Sequence, residues 1–313
     1  MAQSATAFAP ASIGNVGVGF DMLGLAIAGV GDRVTATRSE RAGVVISEVL
    51  DVAGAALTGL SNEASENTAG VAARALWDAH GNTGGVSLSI AKGIPLKSGM
   101  GSSAASAVAG AVAVNALLDS PLPVAELLEF ALKGEQLASG ALHADNVAPS
   151  LFGGLVLCPT VLLPSVVSLD TPTGLSSVLL HPELEVSTAE SRKTLRSSYS
   201  MDEWLEQQGY LAGFVAGVQQ NDVALVGETL RDTIIEPQRA AAVPCFDAVK
   251  EAALAAGAVG SSLSGSGPSI FALCPEDSAA AVAAAMEAAC HRSQIECGVW
   301  ISPLNAPGAS VET

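Results

Sequence analysis

Positive charge is scarce in this chain. Of its 313 residues, 14 are lysine or arginine and 31 are aspartate or glutamate, for a net charge of −17. So acidic a protein repels nucleic acid and anionic membrane, which are held through clustered basic side chains, and neither is an expected partner. A single anionic ligand stays within reach, because main-chain N–H groups at a helix start and a few cations suffice. Cysteine is also sparse. The five, Cys158, Cys245, Cys274, Cys290 and Cys297, are odd in number, widely spaced and without a C-x-x-C pair. That pattern argues against a zinc site or a disulfide framework and for buried packing. No apolar run reaches the ~18–20 residues of a membrane-spanning helix before Gly, Pro or a polar residue breaks it. The opening MAQSATAFAPASIGN lacks the basic and apolar regions of a secretory signal. The expectation is a soluble, cytoplasmic globular protein.

Hydrophobic residues make up 49% of the chain, enough for a substantial core in one large or two ordinary domains. Residues 4–9 and 27–37 read as strands around a glycine-rich turn. Asn67 to His80 has helical spacing, with Asn67 or Thr68 as N-cap. VSLSIAKGIP alternates as a half-buried strand does. Helices are predicted over 102–118 and from about Val124 to Ser139. Four separated prolines between 153 and 184 (Pro159, Pro164, Pro172 and Pro182) mark strands and turns, with a domain boundary nearby. Beyond it helices (203–220, 244–256, 277–291) alternate with strands (260–274, 295–303), which fits an α+β layer domain.

The stretch GIPLKSGMGSSAASAVAGAVAVNALL, from Gly93 to Leu118, poses the functional question. Gly99 and Gly101 permit left-handed backbone and close approach of a polyanion. The helix after them begins with unpaired N–H groups and a partial positive charge. Ser102 and Ser103 add hydroxyls that suit phosphate or Mg²⁺. A Gly-Ser helix cap chosen for tight packing explains the stretch equally well. It is neither a Walker A loop nor a G-x-G-x-x-G.

Pro95-Leu-Lys-Ser-Gly99-Met-Gly101-Ser-Ser-Ala-Ala resembles the phosphate loop of the GHMP small-molecule kinases, with Met100 in place of the usual Leu. Two further stretches resemble the same family in the same order. They are A9-P-A-S-I-G-N15-V-G-V-G-F-D21-M-L-G-L near the start and S261-S-L-S-G-S-G-P-S-I-F-A-L near the end. Between them, G134-E-Q-L-A-S-G-A-L-H143-A-D-N146-V-A-P-S-L-F-G-G is similar to the homoserine kinases within that family. The likeness runs from residue 8 to about 274.

The resemblance implies a fold, a reaction and a set of site residues. The fold would be α+β, a ribosomal protein S5 domain 2-like N-terminal domain (1–165) joined to a ferredoxin-like C-terminal domain (166–313), with the active site between. The reaction would be transfer of the ATP γ-phosphoryl to L-homoserine, in threonine biosynthesis, by a homodimer. ATP would be held by the phosphate loop (Pro95, Gly99, Met100, Gly101, Ser102, Ser103) and by Asn67 and Lys92 at the nucleoside. Ser103 and Glu135 would hold Mg²⁺. Asp21 would take the homoserine ammonium, with Asn15 and His143 adding hydrogen bonds. Arg192 and Arg239 would grip the carboxylate, for which a guanidinium fork is suited, and Arg196 is a further candidate for that role. Asn146 stands where mevalonate kinases have an aspartate, and an amide accepts no proton at neutral pH. Catalysis would then rest on orientation and electrostatics, with Asp145 open as a base.

Without the resemblance, each of these residues has a plainer explanation. Glu135 reads as an exposed helix glutamate, the arginines as surface charges, His143 as a structural histidine and Lys92 as an edge-strand lysine. Three rival functions carry marks of their own. A related kinase with another acceptor needs a different set from Asp21, Arg192 and Arg239. A non-catalytic nucleotide-binding protein would be marked by loss of Glu135, Ser103 or a loop glycine, and none is lost. A dinucleotide-binding oxidoreductase would use G14-N-V-G-V-G19, which has the wrong glycine order.

Overall fold

The computed structural model describes residues 2–80, 84–140 and 142–312. The Ala-, Val- and Thr-rich start folds as two long antiparallel strands, β1 (Ser4–Gly14) and β2 (Leu23–Ser39). Next come β3 (Gly43–Leu50), α1 (Thr68–Ala79), β4 (Gly85–Ala91), α2 (Ser102–Asn115), α3 (Leu127–Ser139) and α4 (Val147–Phe152). Short strands β5 (Leu155–Leu157) and β6 (Val167–Leu169) lead to β7 (Leu175–Pro182). Four helices succeed them: α5 (Thr188–Lys193), α6 (Met201–Gln219), α7 (Val223–Thr229) and α8 (Glu236–Arg239). The chain ends with α9 (Phe246–Ala255), β8 (Gly260–Leu263), β9 (Ile270–Pro275), α10 (Ala279–Arg292), β10 (Cys297–Pro303) and β11 (Ser310–Glu312).

The first sheet runs β11-β1-β2-β4-β3, with β5 and β6 branching from β2. Helix α2 lies at its heart. Every residue of α2 except Ser103 is buried, and its alanines, valines and single glycine allow α1 and α3 to pack against it. One partly exposed position at the start of an otherwise buried helix is where a site belongs. The second sheet runs β10-β7-β9-β8, all antiparallel. With α9 after β7 and α10 after β9 it is a ferredoxin-like arrangement. Its two faces feed different cores. Val178, Leu180, Ile270 and Ala272 pack with α9 and α10, whereas Leu179, Phe271 and Leu273 join the large core of the first sheet with α6 and α7.

The α+β class and the two-layer halves agree with expectation, and so do α1, α2, α6, α9 and α10 within a few residues at each end. Two expectations need correction. Residues 260–274 are not one strand. Gly265, Gly267 and Pro268 break them into β8 and β9 around a loop that reaches the phosphate loop. A division at 165/166 leaves β6 and β11 beyond the line although both pair in the first sheet. Strand β3, the parallel partner of β4, and the short helices α4, α5, α7 and α8 went unforeseen, being too short or too irregular for periodicity to register. Among the described residues no helix is long and apolar enough to cross a membrane.

Candidate active site

One cavity of about 470 Å³ collects the phosphate loop before α2, the β1–β2 turn, α3, the residues entering α4, α5, the end of α8 and the β8–β9 loop. The phosphate loop turns on left-handed backbone at Lys97, Gly99 and Gly101. Gly101 is the N-cap of α2 and supplies no side-chain oxygen to the helix's first N–H groups. Neither serine caps the helix either: Ser102 Oγ donates to Ile94 O (3.2 Å), and Ser103 bonds the Glu135 carboxylate. The helix start is therefore left to an anion from the cavity.

The back of the loop is held by the β8–β9 loop. Ser264 Oγ donates to Gly99 O (2.6 Å) and Ser269 Oγ to Ser98 O (2.7 Å). A Cβ on Gly99 would stand 2.6 Å from Gly267 O and 2.7 Å from Ser264 O, main-chain atoms with no freedom to withdraw. Gly99→Ala is thus expected to raise the ATP KM about 10-fold or more and to destabilise the fold by ~1–3 kcal/mol. Steady-state kinetics and a thermal melt check both. An unchanged ATP KM would show that the loop does not hold phosphate.

Two expected nucleoside contacts take on other work. Lys92 pairs with Asp32 inside the protein and donates to Ser102 O and Ser106 Oγ, both at 2.8 Å. Its three N–H donors are used, so it anchors the first turn of α2 and has none for a nucleoside. The other oxygen of Asp32 accepts from the N–H groups of Gly93 and Ile94 (3.0 and 3.1 Å). Asn67 caps α1 through Ala69 N (3.1 Å) and donates to Ser61 O (3.0 Å), which leaves one amide N–H facing a cavity it does line. Pro95 opens the loop without lining the cavity. The Met100 side chain is fully buried, and its N–H donates to Ser98 Oγ (3.3 Å). Neither side chain is placed to touch a nucleotide.

Ser103 and Glu135 meet on the cavity wall. Burial pushes the Glu135 carboxyl up to about 7, against the lowering effect of the Ser103 hydrogen bond. A buried carboxylate whose charge is disfavoured gains most from a divalent cation. Among the described residues no group of three or more acidic, His or Cys side chains gathers to hold a metal. A cation here would take this one carboxylate, a hydroxyl, and otherwise phosphate and water oxygens, which suits Mg²⁺.

The wall of the cavity formed by the β1–β2 turn is strained. Asn15, Val16 and Asp21 all have positive φ (65°, 45° and 56°), a conformation that costs a non-glycine residue ~1–3 kcal/mol and gathers at functional sites. Asn15 Oδ1 accepts from Asp21 N (3.0 Å) and its Nδ2 donates to Gly265 O (3.0 Å). Asp21 does not stand open for an ammonium. Arg192 holds it in a fork, Nη2 to Oδ1 at 2.8 Å and Nη1 to Oδ2 at 3.1 Å, and His143 Nδ1 lies 3.5 Å from Oδ2. Any cation drawn to Asp21 would have to replace the guanidinium. Burial lowers the His143 pKa, which favours the neutral ring. Arg239, 4% exposed, donates to Gly265 O (3.0 Å) and its pKa is lowered, chiefly by burial and then by Arg192. Arg196 lies outside the cavity lining and pairs with Glu203 at 2.6 Å.

Asn146 bridges the two sides. Its Oδ1 accepts from Ser12 Oγ (2.9 Å) and its Nδ2 donates to Asp145 Oδ2 (3.3 Å), which also accepts from Asn15 N (3.2 Å). Burial pushes Asp145 up to about 7, with nearby Asp21 adding to the rise. Ser12, Asp32 and Ser106 are supporting residues that sequence reasoning missed. Only Asp32, a lone carboxylate inside the apolar strand pattern IAGVGDRV, carried a visible signal.

Comparison with known proteins supplies the family. Residues 67–154 match the GHMP kinases N terminal domain and residues 203–292 the GHMP kinases C terminal domain. A homoserine kinase of Xanthomonas campestris pv. campestris is 44% identical over 98% of this chain and 94% of its own length. The crystal structure of homoserine kinase from Cytophaga hutchinsonii superposes with a TM-score of 0.94 at 40% identity, covering 100% of this chain and 98% of that one. Lactococcus lactis galactokinase, solved with galactose, shares the fold at 17% identity, with a TM-score of 0.70 over 98% of this chain and 95% of its own. Such likeness over nearly the whole of its length shows that the chain belongs to the homoserine kinases of the GHMP kinase family.

Proposed function

We infer that the protein transfers the γ-phosphoryl group of ATP to the side-chain hydroxyl of L-homoserine, giving O-phospho-L-homoserine. The observation that carries this reading is one cavity lined both by an uncapped, glycine-rich helix start and by a zwitterion-sized set of charges, Asp21 with Arg192 and Arg239. The loop N–H groups and α2 would take the phosphates. Ser103 and Glu135 would hold Mg²⁺, which when bound neutralises phosphate charge. Asp21 would receive the acceptor's ammonium and the two arginines its carboxylate, with the ligand's charges replacing the Asp21–Arg192 pair. Asn146, pinned by Ser12, would orient the hydroxyl. Asp145, whose pKa of about 7 matches working pH, would accept the hydroxyl proton. Participation in threonine biosynthesis, a cytoplasmic location and a homodimeric state are carried over from the family resemblance.

The test is ADP release with Mg·ATP, offering L-homoserine beside D-homoserine, L-threonine, L-serine, shikimate and mevalonate. Turnover confined largely to L-homoserine, with phosphohomoserine as product, is the expected result. Preference for another acceptor would retain the kinase and discard the substrate roles of Asp21, Arg192 and Arg239.

A further inference from the structure

Phe20 precedes Asp21 in the β1–β2 turn and is half-buried. Two guanidinium groups from distant parts of the chain sit over its ring, Arg192 Cζ at 5.3 Å from the centroid and Arg239 Cζ at 5.2 Å. Among the described residues no other ring carries two cations.

The arrangement addresses a physical difficulty. Two like charges that must converge on one small anion repel each other while that anion is away. Arg192 is steadied by its fork on Asp21. Arg239 has only the carbonyl of Gly265 for Nη1, and its buried Nε has no hydrogen-bond partner. Arg192 comes from α5 and Arg239 from the end of α8. The surface both share is the ring of Phe20, whose electron-rich face attracts a guanidinium within about 6 Å of the centroid.

We propose that Phe20 is a positioning residue that sets the placement of the Arg192 and Arg239 guanidinium groups, and through them the affinity for the carboxylate of the amino-acid acceptor. The inference rests on the reading that these two arginines receive that carboxylate. Bulk and π character are separable. Phe20→Leu keeps most of the volume and loses the quadrupole, while Phe20→Tyr keeps both.

Steady-state kinetics of both variants, with L-homoserine and with its amide, which lacks the carboxylate, form the test. Phe20→Leu is expected to raise the L-homoserine KM about 10-fold, with kcat and the ATP KM within about 2-fold of the parent. Its preference for L-homoserine over the amide is expected to shrink, and Phe20→Tyr to restore both values. An unaltered KM in Phe20→Leu, or equal impairment of Leu and Tyr variants, would overturn the proposal and leave the ring a packing role. If the parent enzyme instead uses the amide as readily as L-homoserine, the carboxylate reading of the arginines fails, and this inference with it.

Discussion

Glu135→Gln is expected to lower kcat about 100-fold or more while the protein melts at or above the parent temperature. The substitution keeps size and hydrogen-bonding capacity beside Ser103 and removes only the charge. In the ligand-free protein that charge is disfavoured, since burial drives the carboxyl up to about 7. Removing it therefore leaves the fold no weaker, whereas the phosphates lose the anionic oxygen that would fix their cation. Ser103→Ala should lose activity in the same direction. Initial rates at saturating ATP and Mg²⁺ together with thermal melts decide the matter. A kcat within about 3-fold of the parent would reduce Glu135 to an ordinary helix residue.

Asp145→Asn is expected to cost about 100-fold in kcat and, at saturating Mg²⁺, where a bound cation would keep Glu135 ionised, to erase the acidic limb of the pH profile. With Asp145 as proton acceptor, only the ionised form works, so the parent's kcat should fall as pH drops below about 7. Stability moves the opposite way. The folded pKa of about 7 lies above the unfolded value near 3.8. The carboxyl's favourable contribution is therefore fully present below about pH 4 and lost as pH rises through about 7, at most about 4 kcal/mol. The Asn variant lacks this loss, so its advantage over the parent should be larger at pH 8 than at pH 4. Activity down and alkaline stability up together mark a carboxylate retained for chemistry. An acidic limb that survives in the Asn variant would place the proton acceptor elsewhere.

Both carboxylates show why a residue type is easier to read than its state. Glu135 and Asp145 stand in recognisable stretches, yet a lone helix glutamate reads by itself as exposed. Only the packing of α3 against α1 and α2, and of α4 against α2, β1 and β2, removes them from water and raises their proton affinity. Lys92 shows the converse. The family match makes it a nucleoside ligand, and the fold commits its ammonium to Asp32, 60 positions away.

Local chemistry encodes only part of this molecule. Helix α2 and the glycine turn before it were legible because helical period, left-handed backbone and helix start are set within about ten residues, whereas the two-domain plan came from the family resemblance. The tertiary structure alone decided the partnerships. Asp21 with Arg192, Ser12 with Asn146 and Asn15 with Gly265 join positions 171, 134 and 250 apart. No spacing in a single chain announces such pairs, because a contact between distant segments depends on how the sheets and helices stack. That stacking occupies Asp21 with Arg192 in the cavity, and it brings Arg192 and Arg239 together onto the ring of Phe20.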